Sequence, residues 1–199
     1  MRKLILLTMA TLTCGLADRA FPQDKPAVAA QAMPASGARA EFLEELAYYE
    51  QRYTRLAEAI PADKYAWRPG EGVRSIGEVY AHISAANYGI ARALGTPPPA
   101  GLDFKAVTAA GADKAKVTQL LKESFAHFRQ AILAISDADM DKPQKMFNRQ
   151  TTVRGSFLMI TGHFGEHLGQ SIAYARVSGV TPPWTEEAQQ QKATEKPRP

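Results

Sequence analysis

Four stretches of this chain carry apolar residues at spacings of three and four, the period that brings side chains onto one face of an α-helix. The stretches cover about residues 38–60, 75–95, 112–135 and 151–178. No stretch shows the apolar–polar alternation of a half-buried strand. A helix with one apolar stripe must bury that stripe against other elements. The sequence therefore predicts an all-α fold, a four-helix bundle.

Capping residues and prolines mark the ends of the predicted helices. Ser75 followed by Glu78 is a capping box that begins the second helix, and Gly95 is a typical helix stop. Residues 96–111 form a Pro/Gly/Ala-rich connection without an apolar period. Its length favours a long crossover between helices two and three over a tight turn.

The first 17 residues predict a secretory signal peptide. Arg2 and Lys3 are followed by an apolar run, Leu4 to Leu12, which is too short to span a bilayer as a stable helix. Small residues precede a cleavage site after Ala17. We therefore expect an exported protein, periplasmic or extracellular, with no stable membrane span after cleavage. An uncleaved anchor is the alternative.

Cys14 is the only cysteine of the chain. Lipid attachment at Cys14 is a second alternative, although Thr11 and Thr13 do not match the residues that such sites prefer. Cleavage after Ala17 removes Cys14, and the mature chain then has no disulfide, thiolate nucleophile or cysteine metal ligand. Any metal site must then use His, Asp or Glu.

Composition divides the 199 residues into segments. Residues 18–38 predict a disordered spacer, residues 39–184 the helical domain, and residues 185–199 a disordered polar tail. The formal net charge of +4 includes Arg2 and Lys3 of the predicted signal peptide. No basic stripe with interleaved aromatic residues occurs, which argues against a nucleic-acid partner.

The fourth predicted helix contains His163 and His167. Residues four apart lie on one helical face, so both imidazoles can reach one metal ion. His82 lies beside the apolar stripe of the second helix, whereas His127 falls between polar neighbours and predicts a solvated surface residue. If helices two and four pack side by side, three imidazoles meet at one open metal site. Zinc is the default ion, with nickel, iron or manganese as alternatives.

The same stretch reads His163-x-x-Glu166-His167, the inverted zinc-protease pattern. Those proteases need a further acidic ligand from a large downstream region, and only a helix remainder and a polar tail follow here. Glu166 is therefore interpreted as a solvated group or a group supporting the metal ligands.

Two segments carry a family resemblance, RSIGEVYAHISAANY in the second helix and GHFGEHLGQSIAYARVSGVTPP in the fourth. Over about residues 38–183 the chain resembles the DinB-like superfamily of four-helix metal proteins. The resemblance implies that His82, His163 and His167 are the metal ligands and that a homodimer is common. It also implies a thiol-dependent transferase or isomerase, or a metal-dependent hydrolase. Predicted export departs from the family and separates the chain from the cytoplasmic thiol pool.

These observations lead to three hypotheses. The first is a metal-dependent hydrolase or thiol-dependent transferase that acts on a small molecule. Asn87, Glu166, Gln170 and Tyr174 are then the candidates for supporting the ligands or orienting substrate. The second is a non-catalytic metal-binding or stress-response protein, and the third is a binder of apolar ligands whose histidines are structural.

Overall fold

The computed structural model describes residues 33–34 and 36–194. The predicted signal peptide and most of the predicted spacer lie outside the described residues. The described part is mostly helical, with a small two-stranded sheet. None of its helices is both long and apolar enough to cross a membrane.

Six helices and two strands make up the described chain. In chain order they are α1 (Ala38–Ala59), α2 (Ile76–Ala93), α3 (Phe104–Ala109), α4 (Lys114–Ala134), β1 (Pro143–Met146), β2 (Arg149–Thr152), α5 (Val153–Val177) and α6 (Pro183–Thr194). The four long helices, α1, α2, α4 and α5, correspond to the four predicted ones within a few residues. The short helix α3 lies inside the connection that was predicted to be irregular.

Side-chain caps begin the long helices α2, α4 and α5. The capping box of α2 is present as predicted: Ser75 Oγ accepts from the Glu78 amide at 3.2 Å, and Glu78 accepts from the Ser75 amide at 2.7 Å. The side chain of Asp113 caps α4 by accepting from the Lys116 amide, and that of Thr152 caps α5 by accepting from the Gly155 amide, in both cases without the reciprocal bond. These caps satisfy amides that have no partner inside the helix.

The long helices pack around one apolar core. Helix α1 contacts α4 and α5, and α2 contacts the same two helices. Tyr53 of α1 lies fully buried among Phe125 and Phe164, and its hydroxyl donates to the Phe164 carbonyl at 2.7 Å. The buried polar atom is thus satisfied while its ring fills the centre of the core.

Two segments differ from the sequence-based predictions. The first is the polar segment between α4 and α5, which forms the antiparallel pair β1–β2 with Met146 opposite Arg149. Its two-residue turn, Phe147-Asn148, has φ values of 48° and 62°. Strands of four mostly polar residues have no clear alternation, and the turn lacks the usual Asn-Gly signal. The hairpin could therefore not be predicted from the sequence pattern.

The second difference is at the C-terminal end. Residues 185–194, predicted to be disordered, belong to helix α6, while residues 195–199 lie outside the described residues. Trp184 packs against the core, and the Arg52 guanidinium lies 4.3 Å from the centre of its ring. Arg55 of α1 also pairs with Glu187. One aromatic anchor and one ion pair thus hold a segment whose average composition is polar.

Candidate metal centre

Three histidines that are far apart in the sequence meet where α2 packs on α5. His82 comes from α2, and His163 and His167 come from successive turns of α5. One ring nitrogen from each of the three lies within 4.8 Å of the other two. The ring centres are 4.7 to 5.4 Å apart. His82 and His163 are half-buried, and His167 is 8% exposed.

The spacing of the donor atoms fits a metal ion. The Nε2 atoms of His82 and His163 are 3.3 Å apart. Two nitrogens bound to one zinc at about 2.0–2.1 Å in a tetrahedral arrangement lie about 3.3–3.4 Å apart. The Nδ1 atom of His163 is buried and has no hydrogen-bond partner among the described residues. The three histidines could therefore hold a metal ion.

The ring of His167 is oriented by two residues of its own helix. Gln170 Oε1 lies 2.9 Å from His167 Nδ1, and Gln170 Nε2 donates to the Tyr174 hydroxyl at 3.0 Å. Because the amide nitrogen donates to Tyr174, the amide oxygen faces the ring and accepts a hydrogen bond from Nδ1–H of His167. The lone pair of His167 is then on Nε2, the atom free to bind a metal. Trp67 packs edge-on against Tyr174 and supports the far end of this chain of contacts.

Burial keeps two of the imidazoles neutral. It is the main cause that lowers the pKa of His82 to about 4, with contributions from the positive charge of Arg74 and from the neighbouring histidines. The pKa of His163 is also lowered to about 4, by burial first and then by His167 and Arg74. A metal ligand must be a neutral imidazole. Both rings are therefore in the binding form at neutral pH.

The model of the DinB superfamily matches residues 20–171, which include all three histidines. This chain belongs to the DinB superfamily. A comparison with curated proteins found no match.

Solved structures of DinB-like proteins share the fold. A crystal structure from Bacillus cereus ATCC 10987 has a TM-score of 0.58 at 17% identity, covering 71% of this chain and 93% of that one. One from Bacillus subtilis has a TM-score of 0.56 at 20% identity, with the same coverage. At these identities the likeness concerns the fold alone.

The predicted supporting residues of this DinB-superfamily member have different positions in the structure. Gln170 and Tyr174 are at the cluster, as described above. Glu166 is exposed, although its negative charge acts on His82 and raises the pKa of that ring slightly against the effect of burial. Asn87 is fully buried and donates to Ser124 of α4 at 3.1 Å. That contact belongs to the α2–α4 packing, and Asn87 has no described hydrogen bond to a histidine.

His127 was predicted to be a solvated surface residue, and this prediction is wrong. Its side chain is half-buried, and its ring centre lies 5.3 Å from that of Tyr88. Burial lowers the pKa of His127. The polar neighbours of His127 in sequence concealed a packing partner on another helix. His127 is not part of the histidine cluster.

Two further residues at the site were not singled out by sequence analysis. Arg74, immediately before the cap of α2, contributes positive charge at His82 and His163. Phe147, at the turn of the β-hairpin, lies with its ring centre 5.4 Å from that of His163. A single large aromatic residue in a polar segment was the available signal for Phe147. No sequence signal distinguishes Arg74 from other surface arginines.

Proposed function

We propose that this protein is a metal-dependent enzyme that holds one divalent ion through the Nε2 atoms of His82, His163 and His167. The observation that carries the proposal is the 3.3 Å separation of the His82 and His163 Nε2 atoms beside a third imidazole whose Nε2 is free. Zinc is the proposed ion, with nickel, iron or manganese as alternatives, because imidazole suits most of these metals.

Three protein ligands are typical of a catalytic rather than a structural metal site. A divalent ion in such a site supplies Lewis acidity, which activates water or a thiol for nucleophilic attack. The role of Gln170 and Tyr174 is to hold His167 in one orientation and one tautomer. Phe147 lies beside His163, with its ring centre 5.4 Å away. We propose hydrolysis, or thiol-dependent group transfer, of a small molecule as the reaction class.

The proposal also includes a four-helix-bundle topology, export and a homodimer. The four long helices, each packed on two others, support a four-helix bundle in which residues 94–113 form the crossover from α2 to α4. Export rests on the sequence of the first 17 residues and a homodimer on the family resemblance; both stay predictions. Size-exclusion chromatography tests the dimer, and analysis of the N-terminus of the secreted protein tests export.

Elemental analysis of the purified protein tests the metal proposal directly. We expect about one divalent ion per chain in the wild type and a loss of the ion in His82→Ala. His127→Ala is the matched control, because it removes a half-buried histidine outside the cluster and should keep the ion. No ion in the wild type after supplementation with zinc, nickel, iron and manganese would contradict the proposal.

The catalytic part needs a separate measurement. Ester and amide hydrolysis, and thiol consumption with an electrophile, should depend on the metal and stop in His82→Ala but not in His127→Ala. An ion with no exchangeable ligand position, whose removal unfolds the chain, would instead indicate a structural metal site.

A further inference from the structure

We infer that the metal site acts on a small molecule with an anionic group at one end and an apolar group at the other. The inference rests on the proposed function and names the substrate class of the same site. It comes from two clefts of different chemistry that meet at His82, one lined by arginines and one lined by apolar side chains.

One face of α2 runs through both clefts. Glu78, His82, Ala86, Gly89 and Ala93 follow each other at spacings of three and four, so they lie on one side of the helix. The N-terminal part of this face is charged, and the part that follows His82 is apolar and small. A ligand lying along this face therefore passes the metal site between a polar and an apolar region.

The first cleft, here called the arginine cleft, has a volume of about 350 Å³. It is lined by Arg68, Gly72, Val73, Arg74, Glu78, His82 and Thr108. Arg68 is engaged, because it pairs with Glu78 at 3.1 Å and donates to the Val73 carbonyl. Arg74 has no ion pair or hydrogen bond among the described residues. The cleft thus contains one cation that is not neutralised by the neighbouring carboxylate.

Arg74 and His82 line the same cleft, which places the guanidinium beside the histidine cluster. A guanidinium at this position offers a carboxylate or another anion a charge-assisted hydrogen bond beside the metal site.

The second cleft, here called the hairpin cleft, has a volume of about 290 Å³. It is lined by His82, Ala86, Gly89, Ile90, Ala93, Lys145, Met146, Phe147 and His163. The surface is mostly apolar, with Lys145 as its one formally charged lining residue. Its volume lies just below the usual range for small-molecule pockets, about 300–1,000 Å³.

Two backbone features shape the hairpin cleft, a glycine that leaves space on α2 and a turn that places an aromatic ring. A Cβ atom added at Gly89 would meet nothing within 4 Å, so the glycine leaves free space on the helix face. Phe147 lines the same cleft and has a φ of 48°, a conformation that costs a bulky residue on the order of 1–2 kcal/mol. That turn directs the Phe147 ring onto His163. Unfavourable backbone geometry beside a cleft is typical of functional sites.

Calorimetric titration of the zinc-loaded full chain tests the inference with three probes. 3-Phenylpropanoate carries both groups, propanoate only the anion, and 3-phenyl-1-propanol only the apolar part. We expect 3-phenylpropanoate to bind at least about tenfold more tightly than either of the other two, which corresponds to about 1.4 kcal/mol. Equal affinity for the three probes would overturn the inference.

Four variants assign the two ends of the probe. Gly89→Leu fills the hairpin cleft and should weaken 3-phenylpropanoate at least about tenfold while leaving propanoate unchanged. Gly169→Leu is its control, because Gly169 is also helical, has open space at its Cβ position and lines neither cleft. Arg74→Gln should weaken both carboxylates and leave the alcohol unchanged. Lys145→Gln removes the same charge from the hairpin cleft, and an equal loss there would overturn the assignment of the anion to Arg74.

Metal content is measured on every sample, which separates two kinds of failure. A wild-type chain that binds no zinc overturns both the proposed function and the inference. A chain that binds zinc but does not discriminate among the probes overturns the inference alone.

Discussion

Metal binding by the histidine cluster would depend on the orientation and the protonation state of each imidazole. His167 is held by a hydrogen bond from its Nδ1 to Gln170, and His82 and His163 are kept neutral by burial. Orientation and protonation state together decide whether a histidine can bind a metal. Each of these two properties can be tested separately.

Orientation is tested at Gln170. Gln170→Leu removes the acceptor for His167 Nδ1 and should weaken zinc binding roughly 10–100-fold, the usual effect of losing a partner that orients a ligand. Gln170→Glu keeps an acceptor oxygen and should restore most of the affinity. Competition with a chromophoric chelator measures both. Wild-type affinity in Gln170→Leu would show that Gln170 does not orient the ring.

Protonation state is tested by pH. The pKa of His82 and His163 is about 4 in the folded chain, compared with an ordinary value of 6.5. Between these values the unfolded chain binds protons that the folded chain does not, so the stability of the metal-free protein should fall as pH falls from about 6.5 to about 4. Above this pH window the two imidazoles are neutral in both the folded and the unfolded chain, and below it they are protonated in both.

Urea unfolding in the presence of a chelator measures this dependence. The double variant His82→Gln, His163→Gln lacks both titrating groups and should show a shallower loss of stability over the same window. Identical slopes for the two proteins would exclude these histidines as its source.

At the scale of elements, the site exists because α2 is positioned closely against its neighbours. Gly77 in the first turn of α2 lies against the short 3₁₀ turn at Ala110–Ala112, where a Cβ atom on Gly77 would be 1.7 Å from the Gly111 carbonyl oxygen. Tyr65, fully buried, lies beside the same glycine and donates to the Ala57 carbonyl at 2.6 Å. The loop before α2 is thus anchored to α1.

Gly77→Ala should therefore destabilise the protein. The added methyl group meets backbone, which cannot move as a flexible side chain can, and overpacking of this kind typically costs about 1–3 kcal/mol. Gly169→Ala is the matched control: it is helical with open space and should be neutral or stabilising by up to about 1 kcal/mol. Chemical denaturation measures the free energy of unfolding of both variants. Equal stability of the two would contradict the close contact between Gly77 and Gly111.

At the scale of the whole molecule, the centre of the core is formed by aromatic residues. Tyr53, Phe125 and Phe164 are fully buried and pack against one another. We therefore expect the metal-free chain to stay folded. Metal binding then adds stability to a structure that already exists.

Zinc should raise the unfolding free energy by about 2.7 kcal/mol when its free concentration is about 100 times the dissociation constant. His163→Ala should lose this increase and keep its helical circular dichroism. Thermal unfolding with zinc and with chelator measures both effects. Loss of helicity on chelation of the wild type would show that the metal is structural.

The sequence alone determined the features that depend on neighbours along the chain. Apolar period, the Ser75–Glu78 capping box and the four-residue spacing of His163 and His167 are local, and each predicted its helix or helical face correctly. The position of His82 beside the apolar stripe of the second helix made it the candidate third ligand, the family resemblance implied the same three residues, and the structure brings all three together. Gln170 and Tyr174, about one and two turns after His167 along α5, were accessible by the same local reasoning.

Only the tertiary structure decided the features that depend on distant segments. The hairpin that brings Phe147 to His163, the anchoring of α6 by Trp184, the burial of His127 and the position of Asn87 against Ser124 all involve partners far away in sequence. The helical period is set by hydrogen bonds between residues four apart, so it can be recognised in a short stretch of sequence. The charge, burial and shape around the histidines are set by packing between elements, which no short window contains.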